Sequence, residues 1–141
     1  MKELVKVAKS ATVVLDACEM GADRCVAAVH EYFSKAGIAV KVFALDTGGQ
    51  LYLSSLSDAV ITKNAADVLN RNEDIYVNLC CIHAKARRIA EMKNKATAAR
   101  FRCTRIDSAR RPYDMVMSGT ENAIQRRVFL EMAKIISEVR I

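Results

Sequence analysis

Apolar positions along the chain alternate between two spacings, and each change of spacing marks a new element. The run Ala11-Thr-Val-Val-Leu-Asp16 is short, apolar and β-branched and stops at an acidic residue, which fits a buried strand. Between Ala22 and Ala36, Cys25, Val26, Val29, Tyr32 and Phe33 recur at helical spacing, and Gly37 supplies the stop that a helix C-terminus favours. Ile38 to Leu45 is a second β-rich run, ending at Asp46. Strand, helix and strand in some 35 residues is the βαβ pattern, whose crossover in a parallel sheet is right-handed.

Thr47-Gly-Gly49 then predicts a tight turn, and the alternating run Gln50 to Ser54 a strand returning along the sheet edge. Thr62 to Arg71 reads as a short helix. Asp74 to Cys80 reads as a strand with Ile75, Val77 and Leu79 on one face, although Asn72 could equally cap a helix starting there. From Ile82 to Arg100 a helix is predicted, its inner side marked by Ile82, Ala86 and Ile89. Phe101 to Ile106 and Tyr113 to Met117 are further strand candidates, separated by Pro112. Ser118 and Glu121 have capping-box spacing. They open a helix to about Glu138 with Ile124, Val128, Met132, Ile135 and Val139 on one stripe. A first helix over Lys2 to Lys9 competes with a continuous helix over Leu4 to Cys18.

Such alternation predicts one α/β domain over residues 1–141: a mostly parallel sheet of about five strands with helices packed on it. An antiparallel edge hairpin at residues 38–54 is an option within it. Composition agrees, with 52% hydrophobic and 27% charged residues and a single Pro, as in a globular chain. Glu3, Lys6 and Lys9 interrupt the N-terminal apolar residues, so no secretory core is expected. No run approaches the roughly 18 apolar residues of a membrane span. Five cysteines, two of them adjacent at Cys80 and Cys81, make a poor disulfide framework and point to reduced thiols in the cytoplasm.

Charge changes the picture most. The net value is +6 with a pI near 9.2, but Lys85 to Arg111 alone holds ten basic residues against Glu91 and Asp107, a local +8. On a helix Lys85, Arg88 and Lys95 fall within an arc of about 80°. Arg100, Arg102, Arg105, Arg110 and Arg111 follow. Arginine's planar fork suits phosphate, so this surface is the candidate site for nucleic acid or another polyanion. An acidic partner protein is the competing ligand, and a homo-oligomer is plausible for so apolar a short chain.

Ligands of open α/β sheets bind beyond the carboxyl ends of strands. Asp16, Asp46 and Asp107 stand at such ends and could converge on Mg²⁺, giving a phosphodiester-processing enzyme as the alternative function. The bland role for such residues is to cap the next turn. Thr47, Gly48 and Gly49, or Ser118, Gly119 and Thr120, could cradle a phosphate through backbone amides. Cys80, Cys81 and His83 lack zinc spacing, and Cys18, Cys25 and His30 carry no specific pattern.

Val13-Val-Leu-Asp-Ala-Cys-Glu-Met-Gly21, a helix and then Val40 to Leu45 resemble the strand–helix–strand of the Toprim domains of primases. That resemblance implies a Mg²⁺-binding acidic pair two residues apart; Asp16 holds the first place and Cys18 the second. The same stretch with its following turn is similar to von Willebrand A domains, whose metal motif has two Ser where this chain has Cys18 and Met20. Each resemblance spans at most about 45 residues, and both imply a sheet flanked by helices.

Overall fold

The computed structural model describes residues 2–64, 66–80, 86, 88–89, 92 and 124–140. Among them four strands, β1 (Ser10–Asp16), β2 (Ala39–Leu45), β3 (Val60–Thr62) and β4 (Ile75–Asn78), form one sheet in the order β3-β2-β1-β4. Every pairing is parallel. The helices are α1 (Leu4–Val7), α2 (Ala22–Lys35), α3 (Ala66–Leu69) and α4 (Gln125–Glu138).

Alternation along β1 explains the layers. Ala11, Val13 and Leu15 point to one side and join the core built with α2 and α4, whereas Val14 points to the other, with Phe43, Leu45, Val68 and Tyr76. Both faces are covered, which is why β1 reads as a continuous apolar run. Helical residues Ala86 and Ile89 pack on that second face, while Arg88 and Met92 are exposed.

Helix α2 ends as its sequence predicts. Gly37 takes φ +72°, its amide bonds to Ser34 O, and the Ile38 amide reaches back to Phe33 O at 2.9 Å. This is a Schellman closure, with glycine at the left-handed position where a Cβ is costly. Phe129 of α4 meets Tyr32 and Phe33 of α2 at ring centroid distances of 5.9 and 6.0 Å. The Tyr32 hydroxyl and Ser137 Oγ, 2.6 Å apart, share a hydrogen bond across the two helices.

Several expectations are corrected. The edge hairpin at 38–54 does not form: residues 50–54 are not a strand, and the edge strand beside β2 is the parallel β3. Instead the Tyr52 amide bonds to Ala17 O, and Tyr52 and Leu53 pack on the α2 side of the core. The 62–71 helix shrinks to α3, because Thr62 completes β3. On α4 the buried stripe is Val128, Met132 and Ile136, leaving Ile124 and Ile135 exposed. Strand 1 is separate from α1, so Leu4 to Cys18 is not one helix. The strands expected at 101–106 and 113–117 and the capping box at 118–121 lie outside the described residues.

The topology positions a crevice. From β1 the chain passes to α2 on one face, and beyond β4 it reaches Ala86 and Ile89 on the other. Strand order therefore reverses between β1 and β4, the switch point at whose carboxyl ends such sheets hold ligands.

Candidate functional site

Each strand leaves the sheet through a side chain that turns the backbone. Asp16 Oδ1 accepts the Cys18 amide at 2.8 Å, and Asp46 Oδ1 accepts the Gly48 amide at 3.0 Å. Thr62 Oγ1 accepts the Asn64 amide at 2.9 Å, and Asn78 Oδ1 the Cys80 amide at 2.9 Å. These are Asx and ST turns, in which the side chain replaces a ladder partner two residues on.

The first two turns interlock. Thr47 Oγ1 donates to Asp16 Oδ1 at 3.1 Å, and the Cys18 thiol donates a long bond to Asp46 Oδ1 at 3.8 Å. Lys63 Nζ lies 3.8 Å from Asp46 Oδ2. Gly49 packs beside this group, where a Cβ would sit 3.5 Å from Cys18 Cβ. Asp16 and Asp46 are thus brought into one cluster. Asp107 lies outside the described residues. Among the described residues no three His, Cys, Asp or Glu side chains group to hold a metal ion.

For the other candidates the placement is mixed. Thr47 and Gly48 direct a hydroxyl and an amide to carboxylates of the chain itself. Arg88 is exposed on a helix. Lys85, Lys95, Arg100, Arg102, Arg105, Arg110 and Arg111, and likewise Ser118, Gly119, Thr120, Cys81 and His83, lie outside the described residues. Cys25 and Cys80 are buried and not in a disulfide. His30 is occupied on α2 by the Asp58 carbonyl, 2.7 Å from its Nε2.

Sequence reasoning did not foresee how α4 meets this edge. Gln125 is 2% exposed, and its side-chain amide pairs with both backbone groups of Asp16, accepting from the Asp16 amide and donating to the Asp16 carbonyl at 3.0 Å. The backbone amide of Gln125 in turn donates to Glu19 Oε1 at 3.1 Å. This clamp seats the start of α4 against the start of α2. Between them opens a cleft of about 440 Å³ lined by Met20, Gly21, Arg24, Ile124, Gln125 and Arg126. Arg24 and Arg126 are exposed and make no ion pair among the described residues.

A larger cavity, about 700 Å³, lies between α2 and residues 54–58. Its polar groups already serve one another: Asp23 accepts from the Ser54 amide and the Ser57 hydroxyl, and His30 is held by Asp58. With those groups engaged it has the weaker claim to a ligand.

Comparison of the chain with family models, curated protein sequences and solved structures finds no match.

Proposed function

We propose that the chain binds a phosphate-rich partner, foremost nucleic acid, through a basic surface contributed by residues 85–111. The observation that carries this reading is the segregation of charge: ten cations against two carboxylates in that segment. Among the described residues several carboxylates elsewhere are engaged locally, Glu3 by Lys6, Glu31 by Lys35, Glu131 by Lys134 and Asp46 by Lys63. Asp23 is engaged by Ser54 and Ser57. Cations left to solvent attract polyanions through counterion release, whatever the base sequence.

The test is fluorescence anisotropy of labelled single- and double-stranded oligonucleotides between 50 and 200 mM salt. Binding is expected to weaken steeply with salt. Replacing Arg88, Lys95, Arg102 and Arg105 together by Gln is expected to reduce the slope by about 3 to 4. An unchanged affinity in a variant with native circular dichroism removes the proposal. Nuclease treatment of a pull-down separates this reading from docking on an acidic protein, since only association through nucleic acid is lost. A second reading, Mg²⁺-dependent phosphodiester chemistry, is favoured by the clustering of Asp16 and Asp46. It requires Mg²⁺-dependent turnover of an oligonucleotide, abolished by Asp16→Asn.

A further inference from the structure

We infer that the cleft between the starts of α2 and α4 is a nucleotide-sized phosphate site, in which Arg24 and Arg126 hold the phosphate and Met20 and Ile124 lie against the sugar or base. The inference deepens the polyanion reading and rests on it for the phosphate character of the ligand.

Four observations converge on this cleft. It opens beside the loop that follows β1, at the reversal of strand order where α/β sheets receive ligands. Its volume of about 440 Å³ falls in the range of small-molecule sites. Two guanidinium groups from different helices line it, with no ion-pair partner among the described residues. Nearby carboxylates accept hydrogen bonds from the chain itself, Asp16 Oδ1 from Cys18 and Thr47, Asp23 Oδ1 from Ser54 and Ser57, and Glu19 Oε1 from the backbone amide of Gln125.

The ligand class follows from these groups. Two like charges in one cleft repel, and an anion between them relieves that repulsion. A carboxylate has two oxygens and is satisfied by one fork, whereas a phosphate monoester carries about two charges on three oxygens and can engage both. An apolar rim distinguishes the organic phosphate from the inorganic ion. Met20 is 72% and Ile124 46% exposed, and a methionine is soft enough to cover a planar base. Gln125, clamped on Asp16, fixes the floor and so holds the cleft open before a ligand arrives.

The phosphate can come from a free nucleotide or from the phosphorylated end of a nucleic acid strand. Calorimetry on the full chain would use adenosine 5′-monophosphate, adenosine and inorganic phosphate. Anisotropy would compare one oligonucleotide with and without a 5′-phosphate. The monophosphate is expected to bind and adenosine not to. Arg24→Gln and Arg126→Gln are each expected to weaken binding at least tenfold, and Arg24→Lys to weaken it less. Met20→Ala should weaken the nucleotide and spare inorganic phosphate. A gain from the 5′-phosphate assigns the site to strand ends, and its absence alongside monophosphate binding assigns it to free nucleotides. The inference is overturned if the two Gln variants bind the monophosphate and the phosphorylated strand as the parent does, or if neither ligand binds at millimolar concentration. The fourfold Gln variant of residues 88, 95, 102 and 105 keeps monophosphate binding if the cleft is separate. Loss of strand affinity in that variant alone tests the surface instead.

Discussion

Replacing Gln125 by Leu tests the contact on which the shape of the strand-end region depends. Leucine fills much of the same volume but leaves the Asp16 amide without its partner and takes one donor from the Asp16 carbonyl, which keeps the long bond from the Glu19 amide at 3.5 Å. A buried backbone group that loses its hydrogen bond costs about 1–3 kcal/mol. Asp16 is only half-buried, so water can reach part of this region, and the expected loss is about 2–3 kcal/mol rather than twice the upper figure. Gln125→Glu adds a signed control. Its carboxylate can still accept from the Asp16 amide, but it cannot donate to the Asp16 carbonyl, and it faces Glu19. Burial and that neighbour raise its folded pKa above the ordinary glutamate value of about 4.3. The folded state then holds the proton more tightly, so the destabilisation is full above the folded pKa and recedes as pH falls through it. The chain has no Trp, so urea unfolding is followed by far-ultraviolet circular dichroism at pH 7 and pH 5. The Leu deficit should be the same at both, and the Glu deficit smaller at pH 5. A Leu variant within about 0.5 kcal/mol of the parent, the scatter of ordinary surface substitutions, refutes the clamp.

Arg71 donates from Nε to the buried Thr12 hydroxyl at 2.9 Å, so Arg71→Met should cost about 1–3 kcal/mol. Adding Thr12→Val should recover part of it, a coupling read from a double-mutant cycle in urea. Burial raises the Tyr32 phenol, only partly opposed by its hydrogen bond to Ser137. Its contribution is therefore intact below the ordinary phenol value of about 10 and is lost as pH rises through the folded value. Tyr32→Phe should melt lower than the parent at pH 8, with a smaller gap at pH 11. Gly37→Ala forces a Cβ into φ +72° and should cost about 1–2 kcal/mol in thermal unfolding. Asp46→Asn keeps the oxygen that receives the Gly48 amide but removes the negative charge that faces Lys63. Stability should change little and phosphate affinity should rise, whereas under the metal reading any Mg²⁺ response disappears.

The elements legible in the sequence are those whose signal is local. The β-branched run of β1, the apolar stripe of α2 and the stop at Gly37 each decide their own structure within a few residues. β3 escaped notice because three residues, Val60 to Thr62, cannot display an alternation. Leu51, Tyr52 and Leu53 misled for the opposite reason: a single bond from the Tyr52 amide to Ala17 and core contacts at Tyr52 and Leu53 serve that pattern without a ladder. On α4 the inward position went to Ile136 instead of Ile135, a choice made by packing on α2 between two adjacent isoleucines of similar bulk. Strand-terminal Asp16 and Asp46 were readable as site candidates. The Arg24–Arg126 cleft was not, because its walls are about a hundred residues apart and are joined through a side-chain clamp on backbone.

The same feature that made the aspartates conspicuous argues against treating their charge as free. A carboxylate ending a strand can face outward to a metal or inward to the amides that the turning chain leaves unpaired, and here Asp16 and Asp46 each give Oδ1 to the amide two residues on. Thr47 and Lys63 then add a hydroxyl and a cation to the same two groups. A cation bound through those oxygens would have to compete with donors already in place and lie close to an ammonium group. An anion arriving at the neighbouring cleft meets no such competition, since Arg24 and Arg126 have no acidic partner among the described residues. On the proposed reading the strand-end carboxylates therefore serve the backbone, and the guanidinium groups set the sign of the field that a ligand meets at this edge.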